Sequence, residues 1–189
     1  MIGNTLFLHK QISNILILMI MNKNILILSA HPDIENSKAC KAMTEAVKGI
    51  ENVKVVDIYK TPLKVENYID DVRSADVLVF QFPFWWGSAP AMLKSWLDTF
   101  MLGFLENPGM KGKGLLVATA TGVSEEEYHT GGAEQFTTDE ILRPYQVTAI
   151  YSGMTYLRPF VLYGTMMPDA EERIRKGAEA YKALIESLR

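Results

Sequence analysis

The chain has 189 residues, 48% of them hydrophobic, with 19 Lys and Arg against 22 Asp and Glu and a formal charge of -3. That length suits one domain that buries about two thirds of its unfolded surface. The near-neutral balance excludes a nucleic-acid binder or polybasic membrane-surface protein and speaks against the strongly acidic docking surface of some electron carriers.

The first twenty residues stand apart. Before Met21 the only charged side chain is Lys10, and Ile12 to Ile20 is apolar except for Ser13 and Asn14. A transmembrane helix needs roughly 20 apolar residues, and Asn22-Lys23-Asn24 interrupts the run too early. A signal peptide with Lys10 as its basic end and a cleavage site near Ser29-Ala30 would remove Ile25 to Leu28, which reads as the first strand. A third reading starts from a repeat: Asn14-Ile15-Leu16-Ile17-Leu18 recurs as Asn24-Ile25-Leu26-Ile27-Leu28, and only the second copy leads into a motif. We therefore expect the native start at Met21, with residues 1–20 an extension outside the native fold and 21–189 a single domain.

From Met21 onward strands and helices alternate. Ile25 to Ala30 is a continuous aliphatic run, the mark of a strand buried on both faces of a parallel sheet. A polar loop follows, then Ala39, Ala42, Met43, Ala46 and Val47 at helical spacing, stopped by Gly49. Val53 to Tyr59 predicts a strand, Tyr68 to Ala75 a short helix and Val77 to Phe82 a third strand. Pro90 to Phe100 predicts a helix with Met92, Leu93, Trp96, Leu97 and Phe100 on one face and Pro90 in its first turn. Leu115 to Ala120 is a fourth strand, followed by a polar loop from Thr121 to about Gln135. A helix at Thr138 to Ser152, a strand at Phe160 to Tyr163 and an amphipathic helix at Asp169 to Leu188 complete the chain. This alternation implies a doubly wound α/β sandwich with right-handed crossovers. Cys40 is the single cysteine, so no intrachain disulfide is possible, no Cys/His cluster has metal-ligand spacing, and the reducing cytoplasm is the expected compartment.

Folds of this kind bind ligands at the carboxyl ends of their strands. The loop after the first strand runs from Ser29 through His31, Pro32 and Asp33 to Ser37, Lys38 and Ala39 at a helix start. Free amides and the helix dipole there favour an anion, and His31 and Ser37 can add hydrogen bonds to a phosphate; equally, Asn36 or Ser37 can simply cap the helix. No P-loop or Gly-rich dinucleotide fingerprint is present. The loop after the third strand, Phe82-Pro83-Phe84-Trp85-Trp86-Gly87-Ser88-Ala89-Pro90, offers a wall for a flat ring system, or else core or dimer packing.

These motifs together resemble the flavodoxin-like NAD(P)H:quinone oxidoreductases. The residues that carry the likeness are Ala30-His31-Pro32 with Ser37, the segment Phe82 to Trp86, Pro90-Ala91-Met92-Leu93-Lys94-Ser95-Trp96-Leu97-Asp98, Leu142-Arg143-Pro144-Tyr145, and Tyr156 to Gly164. The short bacterial NAD(P)H oxidoreductases, including ancillary subunits of potassium efflux systems, are the most similar members. The resemblance spans roughly Asn24 to the C-terminus. It implies a three-layer sandwich with a five-stranded parallel sheet in the order 2-1-3-4-5 and helices on both faces. It further implies that His31, Ser37, Lys38 and Ala39 hold a flavin phosphate, that Pro83, Phe84, Trp85, Trp86 and Gly87 line the isoalloxazine ring, and that Ala120, Thr121 and Gly122 touch its polar edge. Tyr128 matches a tyrosine facing flavin and substrate, the expected catalytic residue. Two positions depart from the family pattern: Val123 stands where a second glycine is frequent, and Glu134 stands where the animal enzymes have a histidine, while His129 sits beside Tyr128.

The activity so implied is two-electron, ping-pong hydride transfer from NAD(P)H to quinones or similar acceptors, on FMN rather than FAD because the chain ends soon after its last helix. A homodimer is implied too, with Phe100, Met101, Leu102, Phe104 and Leu105 as candidate contacts. Two rival functions remain: a flavin-binding ancillary subunit of a potassium efflux transporter, and a one-electron carrier, against which the net charge and the aromatic loop both count.

Overall fold

The computed structural model describes residues 23–106 and 109–189. The stretch 1–20 and the expected start at Met21 lie outside the described residues, as do the side chains of Leu102, Phe104 and Leu105.

The first strand sets the architecture. Ile25 to Leu28 are all buried, because successive side chains leave a strand on opposite faces and both faces are covered here. Leu26 and Leu28 join Leu78, Phe80, Phe82, Leu115 and Val117 on one side, whereas Ile25 and Ile27 join Val79, Leu116 and Ala118 on the other. β1 (Ile25–Ser29) lies between β2 (Val53–Asp57) and β3 (Val77–Pro83), parallel to both, with Ile25 opposite Val53 and Val77. β3 pairs along its length with β4 (Gly114–Ala120). Two short strands, β5 (Thr155–Tyr156) and β6 (Phe160–Leu162), share the far side of β4. The order is thus β2-β1-β3-β4-β5, with β6 also on β4.

The helices follow in chain order as α1 (Lys38–Val47), α2 (Ile69–Ser74), α3 (Ala91–Glu106), α4 (Thr138–Ile141), α5 (Arg143–Tyr151) and α6 (Ala170–Leu188). α1 and α6 cover the Ile25 and Ile27 face through Met43, Val47, Ile174, Tyr181 and Ile185. The opposite face is filled by Val72 of α2, Leu93, Trp96 and Phe100 of α3, and Tyr145 and Ala149 of α5. Trp96 meets Tyr68, Phe80 and Phe100 with ring centroids 5.9, 6.0 and 5.3 Å away, mostly edge to face, the arrangement that aromatic quadrupoles favour.

Several expectations change. The single helix expected from Thr138 to Ser152 is two, broken at Leu142 (φ -88, ψ 0). Pro144 has no N–H to offer the carbonyl of Glu140 and its ring crowds that turn, so α5 starts afresh with proline in its first turn. Pro90 precedes α3 rather than entering it: α3 begins at Ala91, and the Pro90 carbonyl accepts from the Leu93 amide at 3.0 Å. The fifth strand position is divided in two, with Leu157, Arg158 and Pro159 between the pieces. Of the proposed dimer contacts, Phe100 and Met101 are buried in the chain's own core and cannot face a partner.

Gly177 shows how closely α6 lies on the sheet. A Cβ added there would fall 2.5 Å from Cγ of buried Leu162. Alanine should gain about 1 kcal/mol of helix propensity and lose about 1–3 kcal/mol to overpacking. Gly177→Ala is therefore expected to lower the urea midpoint at unchanged m-value, and a raised midpoint would contradict the close packing.

Candidate functional site

Three strand ends converge. β1 leads into His31, whose Nδ1 accepts the Asp33 amide at 3.0 Å. With Nδ1 an acceptor, the proton of the neutral ring sits on Nε2, the other nitrogen. Burial pushes the His31 pKa below its ordinary 6.5, against the pull of Asp33 and Asp57, so the imidazole is neutral at pH 7. Its ring meets Trp85 edge on at 5.3 Å, which ties the first loop to the second.

After a short 3-10 turn at Ile34–Asn36, Ser37 caps α1 and its Oγ accepts the Cys40 amide at 3.2 Å. That bond uses the hydroxyl as acceptor; its proton can donate, with the Cys40 thiol also within its reach. The amides of Lys38 and Ala39, in the first turn, have no intrahelical acceptor. Oriented donors at a helix start suit a phosphate.

The second loop is fixed at both ends. The Phe84 amide donates to the Ala120 carbonyl at 3.0 Å, and Trp85 and Ser88 exchange backbone bonds at 2.9 and 3.0 Å. Between them Trp86 (φ 51) and Gly87 (φ 75) are both left-handed, as a two-residue turn requires. Tyr145 of α5, buried against Phe82 at 5.2 Å, accepts the Ala89 amide on Oη at 3.2 Å and so holds the loop from behind.

The third loop is held by the segment after β6. Thr121 accepts on its carbonyl from the Thr165 amide and hydroxyl at 2.9 and 3.0 Å, Gly122 from the Met166 amide at 3.0 Å, and Val123 from the Gly164 amide at 2.8 Å. The Gly122 amide has no acceptor among the described residues. Met166 lies across Gly122 so closely that a Cβ there would come within 2.8 Å of Sδ.

Together these loops enclose a cleft of about 280 Å³. Its wall includes His31, Ser37, Lys38, Ala39, Pro83, Phe84, Trp85, Ala120 and Gly122 among the expected site residues. Four others lie off it. Trp86 is fully exposed at the turn tip with Gly87, and Thr121 is buried behind the wall with its Oγ1 donating to the Val123 carbonyl at 3.2 Å. Tyr128 is buried against Tyr163, ring centroids 5.8 Å apart. Burial first, then the charge of Glu134, push its pKa up, so the phenol stays protonated at neutral pH. His129 is exposed and its Nδ1 donates to the Thr130 carbonyl at 2.9 Å. The wall also contains Cys40, Thr165, Met166 and Ile174, which sequence reasoning missed. A larger cleft of about 540 Å³ beside Arg158, Phe160 and Tyr163 lies outside the edge strand, away from any helix start of α1 or α3. Among the described residues no three His, Cys, Asp or Glu side chains are placed to hold a metal, and no helix is long and apolar enough to cross a membrane.

A parallel sheet in the order 2-1-3-4-5 with an anion-ready helix start and an aromatic loop at its carboxyl edge defines a doubly wound ligand-binding protein. The chain belongs to the family with the flavodoxin-like fold, whose sequence profile matches residues 23–185. It is 36% identical over 165 residues to the uncharacterized NAD(P)H oxidoreductase YrkL of Bacillus subtilis, covering 82% of this chain and 92% of that protein. It is 33% identical over 147 residues to KefG, an ancillary protein of the glutathione-regulated potassium-efflux system of Pectobacterium atrosepticum (74% and 80% covered). Among solved structures, general stress protein 14 of Treponema denticola in complex with FMN superposes with a TM-score of 0.81 at 28% identity, over 88% of this chain and 99% of that one.

The neutral His31 makes stability depend on pH. Well above pH 6.5 the ring is uncharged in both states; as pH falls through 6.5 the unfolded chain binds a proton first, so stability drops until the lower folded pKa is passed. In flavin-free protein this step should disappear in His31→Asn, which keeps an acceptor for Asp33. Urea midpoints of the two proteins that fall in parallel between pH 7 and 5 would contradict it.

Proposed function

We propose that the chain is an FMN-dependent NAD(P)H oxidoreductase that reduces quinones or similar electron-poor acceptors in the cytoplasm. The observation that carries the reading is the convergence in one cleft of phosphate donors, an aromatic wall and an unengaged amide. The donor set fits FMN: the Ser37 hydroxyl, the Lys38 and Ala39 amides and His31 Nε2 are disposed for a phosphate, and Phe84 and Trp85 offer flat apolar surface. When bound, the flavin supplies the redox chemistry, taking hydride from NAD(P)H and passing two electrons to the acceptor.

The protein's part is binding, orientation and charge. The α1 start holds the anionic end. The bonded pairs Phe84 with Ala120 and Trp85 with Ser88 keep the ring wall rigid, so little ordering is lost on binding. The Gly122 amide, with its own carbonyl taken by Met166, is a donor that would stabilise negative charge on a bound flavin. Trp86, Gly87 and Thr121 support that wall from the turn tip and from behind. Tyr128, protonated at neutral pH but packed against Tyr163 off the cleft wall, is the proposed donor to the acceptor oxygen once its side chain turns toward the cleft.

The purified protein should be yellow, release FMN on heating, and give parallel initial-rate lines when NAD(P)H and menadione are varied, the pattern of two half-reactions sharing one site. In that assay Tyr128→Phe should lower kcat/KM for menadione roughly three- to tenfold, the worth of one neutral hydrogen bond, with FMN content unchanged. Colourless protein that takes up no added FMN would falsify the reading.

A homodimer forms part of the proposal. It is supported by Val147, Ile150 and Tyr151, exposed together on one face of α5. A second reading, in which the enzyme also docks on a potassium-efflux transporter, is favoured by its likeness to KefG. Co-purification with that transporter from membranes should then occur, and its absence with both partners abundant would count against the docking.

A further inference from the structure

We propose that Met166 is a reversible oxidation site whose sulfoxide weakens ligand binding in the cleft. The inference rests on the flavin reading above for the identity of the ligand, but the site itself follows from exposure and position. Met166 is 85% exposed, whereas Met43, Met101, Met110 and Met154 are buried and Met92 and Met167 are partly covered. Among the described methionines it is therefore the thioether that an oxidant in solution meets first. It is also the one in the wall of the cleft. Cys40, the other sulfur there, is 2% exposed, and burial raises its pKa to about 12, so it is neither accessible nor a thiolate.

The chemistry needs only hydrogen peroxide. A lone pair on Sδ attacks one peroxide oxygen, the S–O bond forms as the O–O bond breaks, and the proton of the attacked oxygen passes to the departing hydroxide, which leaves as water. Sulfur loses two electrons and peroxide gains them; a thiol-dependent sulfoxide reductase reverses the step, two thiols being oxidised to a disulfide while the oxygen leaves as water.

The surroundings give the oxygen an effect. Sδ lies against Gly122, where a Cβ would sit only 2.8 Å from it, so no space remains on that side for an added oxygen. The Met166 backbone is fixed by its amide bond to the Gly122 carbonyl at 3.0 Å, and Thr165 is anchored to Thr121. The added oxygen must therefore point into the cleft or out to solvent. Directed into the cleft, it replaces an apolar wall contact by a polar one. An oxygen directed into the cleft adds an acceptor to the wall that also contains Gly122, whose amide has no partner among the described residues and is assigned to the ring by the flavin reading.

The test uses the full chain, stripped of flavin and treated with graded hydrogen peroxide. Peptide mass mapping should find the first added oxygen on Met166. FMN titration by fluorescence quenching should then give a Kd raised roughly three- to tenfold, as for loss of one hydrogen bond or contact, returning to the starting value after a methionine sulfoxide reductase. Met166→Leu should keep its own Kd unchanged by peroxide. Prior oxidation of a buried methionine, or a Met166 sulfoxide that binds FMN as tightly as the thioether, overturns the proposal. Protein that oxidises first at Met166 yet binds no FMN in either state overturns the flavin reading and, with it, the effect on flavin, while supporting the oxidation site.

Discussion

The ladder between β3 and β4 is the contact on which the site depends. It pairs the two strands from Val77 with Gly114 to Pro83 with Ala120, and the Phe84 amide carries the pairing one step past the sheet onto the Ala120 carbonyl. Thr119 adds a buried cross-strand bond from its hydroxyl to the Phe82 carbonyl at 2.8 Å. Because parallel register is fixed by the alternation of buried side chains, a slip of one residue would turn Phe80 and Phe82 out of their layer. The aromatic loop and the third loop would then no longer meet. The cleft is thus a consequence of core packing carried forward to the strand ends.

The remaining supports act from further away in the sequence. α1 starts where β1 releases the chain, α5 reaches across to hold Ala89, and the segment after β6 occupies the carbonyls of residues 121–123. The α1 start and the third loop leave amides facing the cleft, the Asp33 amide fixes the His31 tautomer, and the Tyr145 bond to Ala89 holds the aromatic loop in place. In this way the polar groups are ordered before any ligand arrives, and the ordering is maintained by hydrogen bonds that do not themselves touch the ligand.

Much of this is legible in the amino-acid sequence, for local reasons. Aliphatic runs at Ile25 and Val77 and helical spacing from Ala39 to Val47 are properties of neighbouring residues. Nine of the expected cleft residues line it because strand-end loops in this architecture have nowhere else to go. What escaped prediction is non-local. Tyr145 meets Ala89 across 56 positions and Thr165 meets Thr121 across 44, and no periodicity records such pairs. Tyr128, close to the third loop in sequence, is turned to Tyr163 by packing that only the folded chain defines. The break at Leu142 had a visible cause in Pro144, but a proline near a helix start reads equally as a first turn.

The divided outer strand has a consequence for the crowded, concentrated solutions in which such proteins exist. A continuous parallel edge presents a row of amides and carbonyls that invites another chain to stack upon it. Here β5 has two residues and β6 three, and between them stands Pro159, which has no amide to offer, preceded by the exposed charge of Arg158. At the opposite margin of the sheet, exposed Lys54 of β2 is paired with Asp71 at 2.7 Å. Interruption on one side and charge on the other deny a neighbouring molecule the flat, uninterrupted border from which fibrillar aggregation grows.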